Sequence, residues 1–376
     1  MGKVTGFLFA ALLCCVSMTA ADAGEKRLVI GANNYLKGIY SLDILEKAFL
    51  TTCEALGVDS VIVNDEGKLE NSVSGVDNLI AAGVDGIVFF GISDTLFPVV
   101  AMKCEAAGIP FTFYDHMPTD EVLAMVGTAS NYKGIAATVD INTGSNIGEY
   151  ALAQKYTKAI VVTGETTDTT HSARTNGFTR VFENGGGTVL TASYGPIDLS
   201  SVMTRANDVL TAHPDVQCIY ATNGDVGATV IEALAKHPEI NAQVFVTDLD
   251  PAVLDGLQDG TIAAANGAHW VNVNFATALL VNSLKGNEIR DEAGNAPRFV
   301  VPVMTLPSNM VDLYNKYWIQ QPPFSDDELR ALVGPNVTIR DFQNIFDNYN
   351  IESRLQAKIK AGLLSQEEFD AAKNAK

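Results

Sequence analysis

From Arg27 to about Val303, short apolar runs alternate with segments of helical spacing, and nothing else in the chain restricts its fold as strongly. One unit shows the pattern. Gly83-Val84-Asp85-Gly86-Ile87-Val88-Phe89-Phe90 is too short an apolar run for a helix. Helical spacing follows from Thr95 to Ala107, and Gly108-Ile109-Pro110 turns the chain into Phe111-Thr112-Phe113-Tyr114-Asp115. The unit reads strand–helix–strand, with a carboxylate ending the second strand. Ligands meet an open parallel sheet beyond the carboxyl ends of its strands, so Asp115 stands where a ligand would be met. The same reading places strands at 28–32, 60–64, 86–90, 110–114, 125–128, 159–163, 188–193, 218–221, 244–247, 262–265 and 299–303. Helices fall between them, as at 40–56 and 226–235. Such alternation predicts an α/β fold, with parallel sheets covered by helices on both faces. The nearly continuous apolar runs suit strands buried on both sides.

Lys3, an apolar run from Phe7 to Met18 and the small-residue site Ala21-Asp22-Ala23 read as a secretory signal over residues 1–23. Cys14 follows Leu12 and Leu13, which do not make a lipid-attachment site. The remaining chain of about 350 residues exceeds what one core usually supports, so two domains are expected. A formal charge of −19 argues against a nucleic-acid or anionic-membrane partner, both of which need clustered Lys and Arg. Cys53, Cys104 and Cys218 are odd in number and match no metal spacing, and they are expected to be buried free thiols.

Catalytic motifs would overturn a binding reading. The chain has no phosphate-binding loop of the Walker type, no nucleophile elbow, no His-Glu-x-x-His and no paired-cysteine metal site. His213-Pro214 and His237-Pro238 follow helices and read as caps. Asn184-Gly185-Gly186-Gly187 ends a helix before a strand, the reverse of a phosphate loop. No catalytic residue, metal or cofactor is expected, and the chain does not read as an enzyme.

Polar residues recur at strand ends instead. Asp115-His116, Asn223-Gly224-Asp225 and Asp248-Leu249-Asp250-Pro251 each close a strand, and Arg174 follows another. Carboxylates accept from adjacent hydroxyls, while Arg and Asn donate in fixed directions, as a hydroxyl-rich ligand requires. Asp250 before Pro251 reads first as a helix cap. Asp225 and Arg174 fit a structural role as well as a binding one. Tyr35, Tyr40 and Trp270 could lie against the apolar face of a sugar, or simply pack.

Leu210-Thr211-Ala212-His213-Pro214-Asp215-Val216-Gln217, continuing to Ala221-Thr222-Asn223, together with the Gly83–Asp115 unit, resembles the type I periplasmic sugar-binding proteins, the ribose- and galactose-binding group that serves ABC importers. The resemblance spans roughly residues 27–305. It implies two doubly wound parallel-sheet lobes, 24–129 with 266–298 and 130–265 with 299–307, joined by three crossings near Ala129, Ala265 and Arg298. It implies ligand contacts at Asp115, Arg174, Asn223 and Asp248. The chain departs from the family at His116, where Arg is usual, and at Gly91, where Asn is common. Asn33, Asn34, Tyr35 and Tyr40 occupy the first ligand loop, and Asn266, His269 or Trp270 stand where the usual Gln is missing. The departures point away from ribose itself.

The expected function is capture of a monosaccharide or sugar alcohol by hinge closure. The protein would act in the periplasm as a monomer and deliver its ligand to an inner-membrane ABC permease, with a chemoreceptor as a further partner. The alternative is a periplasmic sensor of a sugar-like, autoinducer-type signal. Residues 308–376 form an addition to the family pattern, expected to be helical and packed on the second lobe. Two capping boxes, Ser325 with Glu328 and Ser365 with Glu368, open helices within it.

Overall fold

The computed structural model describes residues 27–375, so the secretory signal read over 1–23 lies outside the described residues. The first five strands are β1 (Val29–Asn34), β2 (Asp59–Asn64), β3 (Gly86–Phe90), β4 (Phe111–His116) and β5 (Tyr132–Thr138). Next come β6 (Lys158–Val162), β7 (Thr188–Ser193), β8 (Cys218–Ala221), β9 (Gln243–Thr247) and β10 (Ile262–Gly267). Two short strands follow, β11 (Arg298–Val300) and β12 (Met304–Leu306). They form two sheets in the same order, β2-β1-β3-β4-β5-β11 and β7-β6-β8-β9-β10-β12. Neighbours pair in parallel except β10 with β12. The lobes repeat one topology without repeating their sequence, so β4 and β9 hold equivalent places.

Helices cover both faces of each sheet. Tyr40–Leu56 stops at Gly57, whose left-handed backbone (φ 69°) sends its N–H back to the last turn. Cys53 on this helix and Cys104 on Leu96–Ala107 lie in separate cores on the two faces of the first sheet. Both thiols and that of Cys218 are buried and free, and burial pushes each up to about 12. The glycine run after Asn184 ends one helix before β7. No helix among the described residues is long and apolar enough to cross a membrane.

The structure corrects three boundaries. The strand read at 125–128 is a helix, Asp120–Val126, capped by Thr119. The strand that completes this part of the sheet is β5, so the first crossing follows Thr138 rather than Ala129. The second crossing follows Gly267, through the left-handed Ala268 (φ 62°) and a short 3-10 turn, His269–Val271. The third lies between β11 and β12, because Arg298 still belongs to the first sheet. Asn272 Nδ2 donates to Thr138 Oγ1 at 3.1 Å and ties the first crossing to the second.

The carboxy-terminal segment straddles both lobes instead of resting on the second alone. It begins there, where Gln258 Nε2 donates to Asp312 Oδ1 at 2.7 Å. It then covers the first lobe. Arg330 Nε donates to Ala55 O at 2.8 Å, and Asn282 Nδ2 donates to Leu332 O at 2.7 Å. Phe324, Phe342 and Phe346 surround Phe275. This cover explains why the helix Asn272–Leu284 is buried on every side. The Ser325–Glu328 capping box is present, and Ser365 caps its helix through the Glu368 N–H.

Candidate functional site

Asp115 stands one residue before the end of β4 and Asp248 directly follows β9, so the two carboxylates come from closely equivalent points of the two lobes. Both backbones are left-handed, with φ 81° at Asp115 and 85° at Asp248. Such a conformation costs a non-glycine residue on the order of 1–3 kcal/mol and persists where it aims a side chain. Asp and Asn bear it better than other residues.

Arg174 gathers the second lobe's polar groups. Its Nε donates to Asp140 Oδ1 at 3.0 Å, its Nη1 donates to the Thr222 carbonyl at 2.9 Å, and Asp248 Oδ1 lies 3.8 Å away. The guanidinium reaches Asp140 because two helices touch. A Cβ at Gly144 would stand 1.8 Å from Arg174 O, and one at Gly177 would stand 2.0 Å from Ile141 O. Only glycine allows that approach between Asp140–Ala153 and Thr169–Asn184.

His116 continues the network from the first lobe, with Asp94 Oδ1 at 3.4 Å and Asp140 Oδ2 at 3.5 Å. Burial acts to lower its pKa, but Asp140, Asp94 and Asp115 outweigh burial and hold it above the ordinary imidazole value. Burial likewise works to raise Asp140, and Arg174 with His116 outweighs it and holds the carboxyl below its usual range. Asp115 is raised by burial, with His269 opposing. His269 Nε2 lies 3.6 Å from Asp115 Oδ1, too far for a hydrogen bond. Beside these groups opens a cavity of about 380 Å³, lined in part by Asp94, His116, Met117, Asp140 and Thr169.

The residues expected from sequence divide into two groups. Asp115, His116, Arg174, Asp248 and His269 come together where the lobes meet, with Tyr40 near Asp250, Trp270 beside His269 and Asn223 just beyond β8. Asn223 caps the helix Gly224–Leu234 through Oδ1, which leaves its Nδ2 to offer. Asn33, Asn34, Tyr35 and Asn266 are committed to the scaffold. Asn33 donates to Asp65 Oδ2 at 2.7 Å and accepts from the Phe90 N–H at 2.8 Å, clasping β1, β2 and β3. Asn34 is bonded to Glu46 and to the Leu36 N–H. The Tyr35 hydroxyl donates to Gly67 O at 2.7 Å. Asn266 accepts from Thr247 Oγ1 and donates to Thr143 O.

Sequence reading missed Asp94, Asp140, His171, Thr222 and Tyr314. Asp140 carries a signal, since it is the first acidic residue after β5, but the apolar pattern puts that strand at 125–128. His171 Nδ1 sits 2.7 Å from Thr222 Oγ1. Asp250 caps the helix Pro251–Asp259 as read, through the Val253 N–H at 3.0 Å. Burial pushes Asp250 up to about 6. Asp94, Asp115, Asp140, Asp248 and Asp250 face one guanidinium and three imidazoles, a balance hostile to anionic ligands. Hydroxyl groups can donate to these carboxylates and accept from the donors among them.

A family model described as periplasmic binding protein domain matches residues 31–288. The ribose import binding protein RbsB of Bacillus subtilis (strain 168) is 21% identical over 196 residues, which is 50% of this chain and 60% of that protein. The match therefore spans less than two thirds of that relative. A solute binding protein from Actinobacillus succinogenes 130z, solved with bound D-allose, superposes with a TM-score of 0.67 at 17% identity. It aligns over 77% of this chain and 100% of its own. An arabinose binding protein from Geobacillus stearothermophilus gives a TM-score of 0.64 at 22% identity, over 77% and 99%. These likenesses establish the two-lobed fold.

Proposed function

Because this chain belongs to the periplasmic binding protein family, we propose that it captures a neutral monosaccharide or sugar alcohol between its lobes. One observation carries the reading. Asp115 and Asp248 occupy equivalent strand ends in the two lobes, each on strained backbone, and Arg174 stands beside Asp248. Two carboxylates so placed accept from hydroxyls on opposite sides of a small ring. A ligand held by both lobes favours the closed arrangement by its greater affinity for it. The site binds and releases its ligand unchanged, without catalysis. The acidic crevice turns away sugar phosphates and sugar acids.

The relatives' ligands, ribose, D-allose and arabinose by name, support the sugar class. On this reading the protein is exported by residues 1–23, works in the periplasm as a monomer and hands its ligand to the permease of an ABC importer. A thermal-shift screen of neutral pentoses, hexoses and their alcohols beside the matching sugar phosphates tests it. A rise in melting temperature with a neutral sugar and none with its phosphate is expected. No response to any neutral sugar, or a response to phosphates alone, overturns the reading.

A further inference from the structure

Three buried hydrogen-bond donors at the crevice have no partner among the described residues: Tyr40 Oη, Trp270 Nε1 and Tyr314 Oη. They come from three parts of the chain. Tyr40 opens the first helix of the first lobe, Trp270 lies in the second crossing, and Tyr314 belongs to the carboxy-terminal segment. That segment lies beyond the family match, which ends at residue 288. Tyr314 is 0% exposed, and its ring stacks on Trp318 at 5.5 Å and stands 6.4 Å from Trp270. Trp270 adjoins His269, whose Nε2 faces Asp115, so the aromatic wall is continuous with the carboxylate. The helix Val311–Tyr314 also packs on Pro251–Asp259, the helix that Asp250 caps. Burial raises Tyr314 well above the ordinary phenol value, and Tyr349, Tyr40 and Asp248 add to the rise. Burial and then Asp250 push Tyr40 up to about 12.

A buried donor without a partner is costly, and natural folds rarely keep one without use. Other tyrosines of the same segment are paired. Tyr317 Oη donates to Leu363 O at 2.7 Å, and Tyr349 Oη donates to the Ala268 carbonyl at 2.9 Å. Tyr349 thereby fixes the segment to the second crossing, which holds Tyr314 in place. We propose that Tyr314 is a specificity residue of the sugar site, its hydroxyl donating to a ligand hydroxyl that in turn donates to Asp248. The carboxy-terminal segment then forms part of the binding site. Each bond in such a chain polarises the next, and a sugar lacking that hydroxyl leaves Tyr314 unpaired and Asp248 with Arg174 alone.

The proposal rests on the sugar-binding reading, and the test separates the two. Calorimetric titration uses D-ribose, L-arabinose, D-allose and D-galactose against wild type, Tyr314→Phe, Tyr317→Phe and Asp115→Asn, with the melting temperature of each ligand-free protein. Tyr314→Phe is expected to weaken the tightest-binding sugar about tenfold, as for one buried hydrogen bond, without lowering the melting temperature. Tyr317→Phe is expected to lower the melting temperature and leave the affinity alone. If Tyr314→Phe binds as wild type while Asp115→Asn is weakened, the proposal fails and the sugar site stands. Equal weakening by Tyr317→Phe assigns the effect to a loosened segment and also overturns the proposal. If none of the four sugars binds wild type, the same comparison is made with whichever neutral sugar or sugar alcohol raises its melting temperature, and if none does, the proposal and the sugar reading fail together.

Discussion

Asp115→Asn should move affinity and stability in different directions. Asparagine keeps the side chain's shape and tolerates the left-handed backbone at φ 81°, so the substitution removes charge with little new strain. Alanine would not serve, because at positive φ it adds about 1 kcal/mol of strain to the lost contact. In the ligand-free protein the carboxylate is a burden. Burial raises its pKa, its Oδ1 has no hydrogen bond, and His269 at 3.6 Å is too distant to satisfy it. The amide therefore should not lower the melting temperature. Binding should suffer, since a hydrogen bond to a charged group contributes about 1.5–3 kcal/mol, which converts to a 10- to 150-fold loss of affinity at about 1.4 kcal/mol per decade. Calorimetric titration with the tightest-binding neutral sugar gives the first quantity and differential scanning calorimetry the second. Unchanged affinity together with a fall in melting temperature would refute the reasoning, because it would make Asp115 a structural group.

Arg174→Ala leaves Asp140 and Asp248 in the crevice without their cation, and breaking such a buried pairing costs about 3–5 kcal/mol. Urea unfolding measures it, and a loss below about 1 kcal/mol would contradict the geometry. Protonated His116 between Asp94 and Asp140 should stabilise the fold fully below the imidazole's ordinary pKa of about 6.5, and that stabilisation should fade as pH rises through its raised folded value. His116→Gln should flatten this part of the stability–pH curve, and an identical slope in the variant would count against the network. Asp250→Asn keeps the helix cap and removes a carboxylate whose pKa is pushed from 3.8 to about 6. It should raise stability by up to about 3 kcal/mol at pH 7, with the gain fading as pH falls from 6 toward 4; a gain that persists at pH 4 would refute the burial argument.

The alternation of strands and helices was legible because strands buried on both faces must be apolar along their length, and β3 and β8, buried at every residue, fall where the apolar runs do. β5 was not. Tyr132-Lys133-Gly134-Ile135-Ala136-Ala137-Thr138 carries one glycine and two alanines, residues poor in strand propensity, and the neighbouring Met125-Val126 pair attracted the assignment instead. That displacement hid Asp140, the residue through which His116 and Arg174 meet. The strand-end rule found Asp115 and Asp248 because topology alone puts them at the crevice. It over-reached with Asn33 and Asn266, whose amides satisfy buried backbone and side-chain groups, a choice that depends on neighbours remote in sequence. Tyr314 was out of reach for the same reason, since its place depends on how residues 308–375 fold back across both lobes.

A crystal structure of the protein grown with its tightest-binding neutral sugar tests the central claim most directly. The account predicts one sugar molecule between the lobes, with hydroxyls within hydrogen-bond distance of both Asp115 and Asp248. A sugar held by one lobe alone, or bound away from these two carboxylates, would contradict it.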